Sequence, residues 1–273
     1  MSEYVPARVK ARRFLRDLLP ESLFSLVSKV WINTFARCFK VQDVLNKYTE
    51  LFLQNNPKVV QDGPFAGLQY VDKAVGSNYL HKLVGSYEAI LHPILSDIFK
   101  KKFDTVIDIG AAEGYYLVGL GQKFPEAKLV GFETEVTGRE LITEMYQKNH
   151  LHNELILEGT ATAANVAPYI TEAALLICDC EGGELDILDP KLESAFTKID
   201  TAIIELHDFV RPGIKEALTE RFSATHTITL VPFKMANPSQ FKFLASIENQ
   251  SEQYEILRER GWQEQEWMIL NRK

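Results

Sequence analysis

The stretch "VIDIGAAEGYY", Val106–Tyr116, decides the fold. An apolar run ends at Asp108, and Gly110 and Gly114 follow where a strand turns into a helix. Glycine puts no side chain in the way there, so backbone amides and a helix N-terminus can come close to a ligand. Such a turn suits a nucleotide-like cofactor. The dinucleotide fingerprint wants small residues at its first, third and sixth positions, and here these are Gly110, Ala112 and Tyr115. The bulk of Tyr115 counts against a pyrophosphate.

Downstream, "LVGFETE" places Glu133 at the end of a second strand, where an acidic side chain can accept both hydroxyls of a ribose. From Phe103 onward, apolar runs alternate with helical patterns, the sequence form of a parallel sheet covered on both faces. "DTVIDI", "KLVGF", "ELILE", "ALLIC" and "TAIIEL" read as five strands. "EGYYLVGLGQKF" and "TGRELITEMYQKN" read as helices, the second opened by a capping box of Thr137 and Glu140. The end departs from alternation: "HTITLVPF" and "EQEWMILNR" read as two further strands around one helix, "SQFKFLASIENQSEQYEILRERG". The expected architecture is α/β, a seven-stranded, mostly parallel sheet with helices on both faces.

Upstream, "SYEAILHPILSDIFKKK" has helical spacing, with Ser86 as its cap and Pro93 disturbing it. Residues 63–85 carry the glycines and proline of an irregular connector or lid, and 1–62 read as a helical extension. That leaves 86–273 as the cofactor-binding domain. In the extension, Arg8, Lys10, Arg12, Arg13 and Arg16 form a basic face, and "SLFSLVSKVWINTF" is apolar enough to bury an interface between copies of the chain.

With 273 residues, 46% of them hydrophobic, the chain can bury one large core. Its net charge of −7 argues against a nucleic-acid partner, because phosphate-tracking surfaces are usually basic. Cys38, Cys178 and Cys180 lack the paired spacing of a zinc site or disulfide framework, so a reducing cytoplasm is the expected setting. No apolar run approaches the ~18 residues of a membrane span, and stable membrane insertion is not expected.

With Asp108, Gly110, Gly114 and Glu133 in this order, the chain resembles the class I S-adenosylmethionine-dependent methyltransferases, a Rossmann-like fold whose last strand inserts antiparallel at the sheet edge. Within that class, "DCEGGELDIL" and "TAIIELHD" are similar to the FkbM-type enzymes. The resemblance covers roughly Phe103 to Leu230. It implies S-adenosylmethionine as cofactor, held by Asp108, Gly110, Ala111, Glu113 and Gly114 around the glycine turn, by Glu133 at the ribose and by Gly159, Thr160 and Ala161 at the adenine. The implied acceptor is a hydroxyl of a sugar, glycolipid or secondary metabolite.

The second half of the site is read from strands four and five. Asp179 leaves strand four at the rim where ligands bind in open parallel sheets, Glu181 lies on the next turn, and Glu184 falls in a first helical turn as a structural charge. Glu205 and His207, two residues apart, share a face of strand five. Glu205 is costly in an apolar strand unless partnered. His207 is the expected base, because imidazole titrates near neutral pH, with Asp179 and Glu181 orienting cofactor or acceptor. Tyr87 and Glu88 are expected to close over the pocket. Asp179, His207 and Asp208 could converge on magnesium, but the Asp-Asn pair of metal-dependent O-methyltransferases is His-Asp here and histidine suits magnesium poorly, so no metal is expected. Two rival readings use the same sheet: a nicotinamide-dependent oxidoreductase and a non-catalytic cofactor-binding scaffold.

Overall fold

A computed structural model describes residues 41–258 and 265–273. The basic and apolar stretches of 1–40 lie outside the described residues. Seven strands form one sheet: β1 Thr105–Ile109, β2 Lys128–Phe132, β3 Leu155–Glu158, β4 Ala174–Cys178, β5 Thr201–Leu206, β6 His226–Pro232 and β7 Glu266–Arg272. Their order is β3-β2-β1-β4-β5-β7-β6. The first five run parallel, and β7 is antiparallel to both β5 and β6. The last strand is therefore inserted between neighbours, and β6 takes the edge.

Alternation along the strands divides the core in two. Val106, Leu129, Leu175, Ile177 and Ile203 face one side, and Ile107, Val130, Leu176, Cys178 and Ile204 face the other. All ten are buried, as expected of a sheet covered on both faces. The first side is covered by helices Tyr79–Val84, His92–Ile98, Tyr115–Lys123 and Gln250–Leu257, together with a helical stretch over 41–55. Phe52 of that stretch packs edge-on against Phe243, ring centres 5.0 Å apart, so 41–55 shares this core. Helix Ile214–Phe222 covers the second side.

Three local expectations are corrected. Ser86 caps no helix: Glu88 takes a left-handed φ of 47°, and the α-helix begins only at His92, with Pro93 in its first turn where a missing N–H costs nothing. Thr137 lies inside helix Val136–Lys148, whose N-cap position is Glu135 without a side-chain cap. The helix forecast over 239–261 is broken into Lys242–Ala245 and Gln250–Leu257, because the Asn249 side chain accepts the Ser251 and Glu252 amides and starts a new helix. Within 63–85, Tyr79–Val84 is helical.

Candidate functional site

A cavity of about 550 Å³ opens at the C-terminal ends of β1, β2 and β4. The chain winds outward from β1 in opposite directions there, the place where ligands bind in open α/β sheets. Gly110 makes this crossing possible. Its φ is 85°, and a Cβ on it would stand 1.8 Å from the Asp179 carbonyl oxygen. Ala112 and Glu181, both lining the cavity, are also held at positive φ, 49° and 53°. Strain of this kind persists only where surrounding structure enforces it.

Glu133 is placed by backbone. Its Oε2 accepts the Ala112 amide and its Oε1 the Glu135 amide, both at 2.8 Å, which fixes the carboxylate at the cavity wall. Each oxygen keeps a further lone pair. Asp108, Asp179, Glu181 and Asp186 also line the cavity, and Lys82 is the one basic side chain among its described lining residues. Lys82 is already paired with Glu113 at 2.6 Å, both side chains being buried. Burial works against the charge of Glu113, but Lys82, the Tyr70 hydroxyl and the Val75 amide outweigh it and hold the carboxyl below its usual range. The cavity therefore has an acidic wall. Burial, then the charge of Asp179, pushes Asp108 up to about 8 and Glu88 to about 7.

His207 is fully buried behind that wall. Its Nδ1 lies 2.8 Å from Glu184 Oε1, while Nε2 faces Asp179, Glu181 and Glu205 at 3.4, 3.5 and 3.8 Å. Burial opposes its charged form, but the Glu184 hydrogen bond and the charges of Asp179, Glu184 and Glu181 prevail and raise it above the ordinary imidazole value. Asp208 lies apart from this group, its carboxylate accepting the Gly213 and Lys215 amides at the start of helix Ile214–Phe222.

Of the expected cofactor residues, Asp108, Gly110, Ala111, Glu133, Gly159, Thr160, Ala161 and Asp179 line the cavity. Gly114 and Glu113 do not: Gly114 heads helix Tyr115–Lys123, and Glu113 is spent on Lys82. Among the expected catalytic residues, Tyr87, Asp179 and Glu181 line it, whereas Glu88, Glu205 and His207 stand behind. Glu88 accepts the Tyr116 hydroxyl. A direct proton transfer from acceptor to His207 does not fit this burial. Glu184 is the residue that sequence reasoning undervalued. Its position in a first helical turn explained its charge, and only the fold brings it to His207.

No family model and no curated protein sequence matches the chain. Solved structures do. The methyltransferase domain of METTL16 aligns at 11% identity and a TM-score of 0.50, covering 85% of this chain and 96% of that one. Precorrin-6y C5,15-methyltransferase of Geobacter metallireducens GS-15 aligns at 9% identity and a TM-score of 0.47, over 75% and 93%. The O-methyltransferase TomG of Streptomyces achromogenes, solved with S-adenosylmethionine, aligns at 12% identity and a TM-score of 0.42, over 84% and 89%. By its sheet order and the METTL16 likeness, the chain has the Rossmann-like fold of the S-adenosylmethionine-dependent methyltransferases.

Proposed function

We propose that the chain is an S-adenosylmethionine-dependent methyltransferase acting on a hydroxyl of a small molecule or glycan. The acidic wall carries this reading. Glu133, Asp179, Glu181 and Asp186 face the cavity, and the one lysine among its described lining residues is neutralised by Glu113. Such a field attracts a cofactor of net positive charge and repels a pyrophosphate. S-adenosylmethionine supplies a methyl group made electrophilic by its sulfonium charge.

The residues divide the work by position. Glu133, held by two amides, offers its remaining lone pairs to two ribose hydroxyls. The turn at Gly159, Thr160 and Ala161 offers a wall for a flat base. Asp179, its side chain 24% exposed, replaces His207 as the group that meets an acceptor hydroxyl. Tyr87, Tyr115 and Tyr116 offer aromatic faces to a ring-shaped acceptor. A polyanionic acceptor fits neither this wall nor a net charge of −7. Holding the two reactants aligned supplies most of the acceleration, ~7 kcal/mol or more.

Calorimetric titration tests the cofactor. S-adenosylmethionine should bind at micromolar level and NAD should not, and Glu133→Ala should weaken binding by ~1–3 kcal/mol, as expected for lost hydrogen bonds to a charged group. Preference for NAD would sink this reading and restore the oxidoreductase.

A further inference from the structure

We propose that Asp179, Glu205 and His207 form a binding site for one divalent first-row transition cation, with Glu184 as its positioning residue. The period of two along β5 puts Glu205 and His207 on one face, and the exit of β4 brings Asp179 beside them. Donor atoms of the three lie within 4.8 Å of one another.

The imidazole points to a ligand independently of the carboxylates. His207 is fully buried, yet its Nε2 makes no hydrogen bond. Its Nδ1 is held 2.8 Å from Glu184 Oε1, which directs the ring proton to that carboxylate and the lone pair of Nε2 toward Asp179 and Glu205. Charge-assisted N–H···O contacts close to about 2.7–2.9 Å. Here Asp179, Glu181 and Glu205 stand at 3.4, 3.5 and 3.8 Å from Nε2. Atoms that share an ion at ~2.1 Å are roughly 3.0–3.4 Å apart at right-angled to tetrahedral angles. Asp179 already stands at that spacing from Nε2, and Glu205 reaches it by closing in by roughly 0.4 Å. Gln265 fixes Glu205 from behind, donating to its Oε1 at 3.1 Å.

The donor set selects the metal. One imidazole nitrogen with carboxylate oxygens suits Mn²⁺, Fe²⁺, Co²⁺ or Zn²⁺ better than Mg²⁺. Histidine disfavours magnesium but not these cations, and Glu205 takes the place expected for Asp208. Asp179 and Glu181 line the cavity, so the ion would sit at its wall. Its use, polarising an acceptor oxygen, rests on the methyltransferase reading, whereas its binding does not.

The test is Mn²⁺ titration of the full chain after treatment with EDTA, followed by electron paramagnetic resonance. One Mn²⁺ per chain is expected, with nitrogen coupling from a directly bound imidazole in the wild type. His207→Ala and Glu205→Gln should each weaken binding at least tenfold, and Glu184→Gln by ~10–100-fold. Absence of binding up to millimolar Mn²⁺, or binding without nitrogen coupling, overturns the site, and the coupling needs no variant that folds. Titrating S-adenosylmethionine in EDTA separates the two readings. Cofactor binding without Mn²⁺ binding defeats only the metal site, and Mn²⁺ binding without cofactor binding defeats only the methyltransferase.

Discussion

Asp108 shows how much one carboxyl can report about this site. It is buried at the end of β1, and burial followed by the charge of Asp179 raises it to about 8. Near neutral pH it carries a proton, and a cationic cofactor beside it favours releasing that proton. Binding of S-adenosylmethionine at pH 7.5 should therefore liberate a proton, seen as heat that varies with the ionisation enthalpy of the buffer, and Asp108→Asn should remove the variation. The sign for stability follows from the same shift. A carboxyl raised above its unfolded value binds more protons when folded, so its contribution falls as pH rises from about 4 to 8. Asp108→Asn should gain stability over the wild type between pH 5 and 7.5, by up to ~3 kcal/mol at 1.36 kcal/mol per unit. A difference in melting temperature that does not change with pH would refute the raised value. Asp108, Gly110 and Glu133 were legible in the sequence because each sits at a strand end, where position in the element dictates direction. The role of His207 was not. Whether an imidazole meets solvent, acceptor or a carboxylate such as Glu184 depends on elements far apart in the chain.

Elements were legible where burial imposes a period. The strands follow from their apolar runs, since a strand covered on both faces has little choice of residue. Helix ends were less so, because a cap is decided by whichever acceptor arrives first. Glu133 takes the Glu135 amide, and Asn249 divides a run of helical spacing. The connector over 63–85 is another element whose punctuation was visible and whose purpose was not. It packs Phe65 against Gly119 of helix Tyr115–Lys123, where a Cβ would come within 2.7 Å of the ring. It is then pinned by Lys82, Tyr70 and the Val75 amide, all bonded to Glu113. Val75, Gly76 and Ser77 thus form a fixed wall of the cavity. Lys82→Met leaves the Glu113 carboxylate buried without its counter-ion and should cost ~3–5 kcal/mol. Adding Glu113→Gln removes the stranded charge and should recover most of the loss. If thermal melts show the double variant to be as unstable as the single one, the pair is not what fastens the connector.

The whole molecule is held together by joining distant segments on one face of the sheet. The helical stretch over 41–55, the connector and the C-terminal helix Gln250–Leu257 share a single apolar cluster with Val106, Ile177 and Ile203. Nothing local in the sequence announces that closure, since the partners are some two hundred positions apart. Tyr48 bonds Glu252, and His81 meets the carbonyl of Ile256. His81 is fully buried, and burial, only partly offset by the Ile256 carbonyl, lowers it to about 4. It is therefore a neutral N–H donor in the folded protein. An imidazole whose folded value lies below its unfolded 6.5 binds fewer protons when folded, so its contribution is intact above pH 6.5 and is lost as pH falls toward 4. This is the reverse of Asp108 over an overlapping range, so the wild-type profile alone cannot separate them. The comparison with His81→Asn does. The wild type should lead the variant at pH 7.5, and that lead should shrink by ~2 kcal/mol at pH 5, at 1.36 kcal/mol for each unit below 6.5. In a domain of this size that corresponds to roughly 4–8 °C in melting temperature. A lead of constant size would mean that His81 is charged or exposed in the folded state, and that the C-terminal helix is fastened by packing alone.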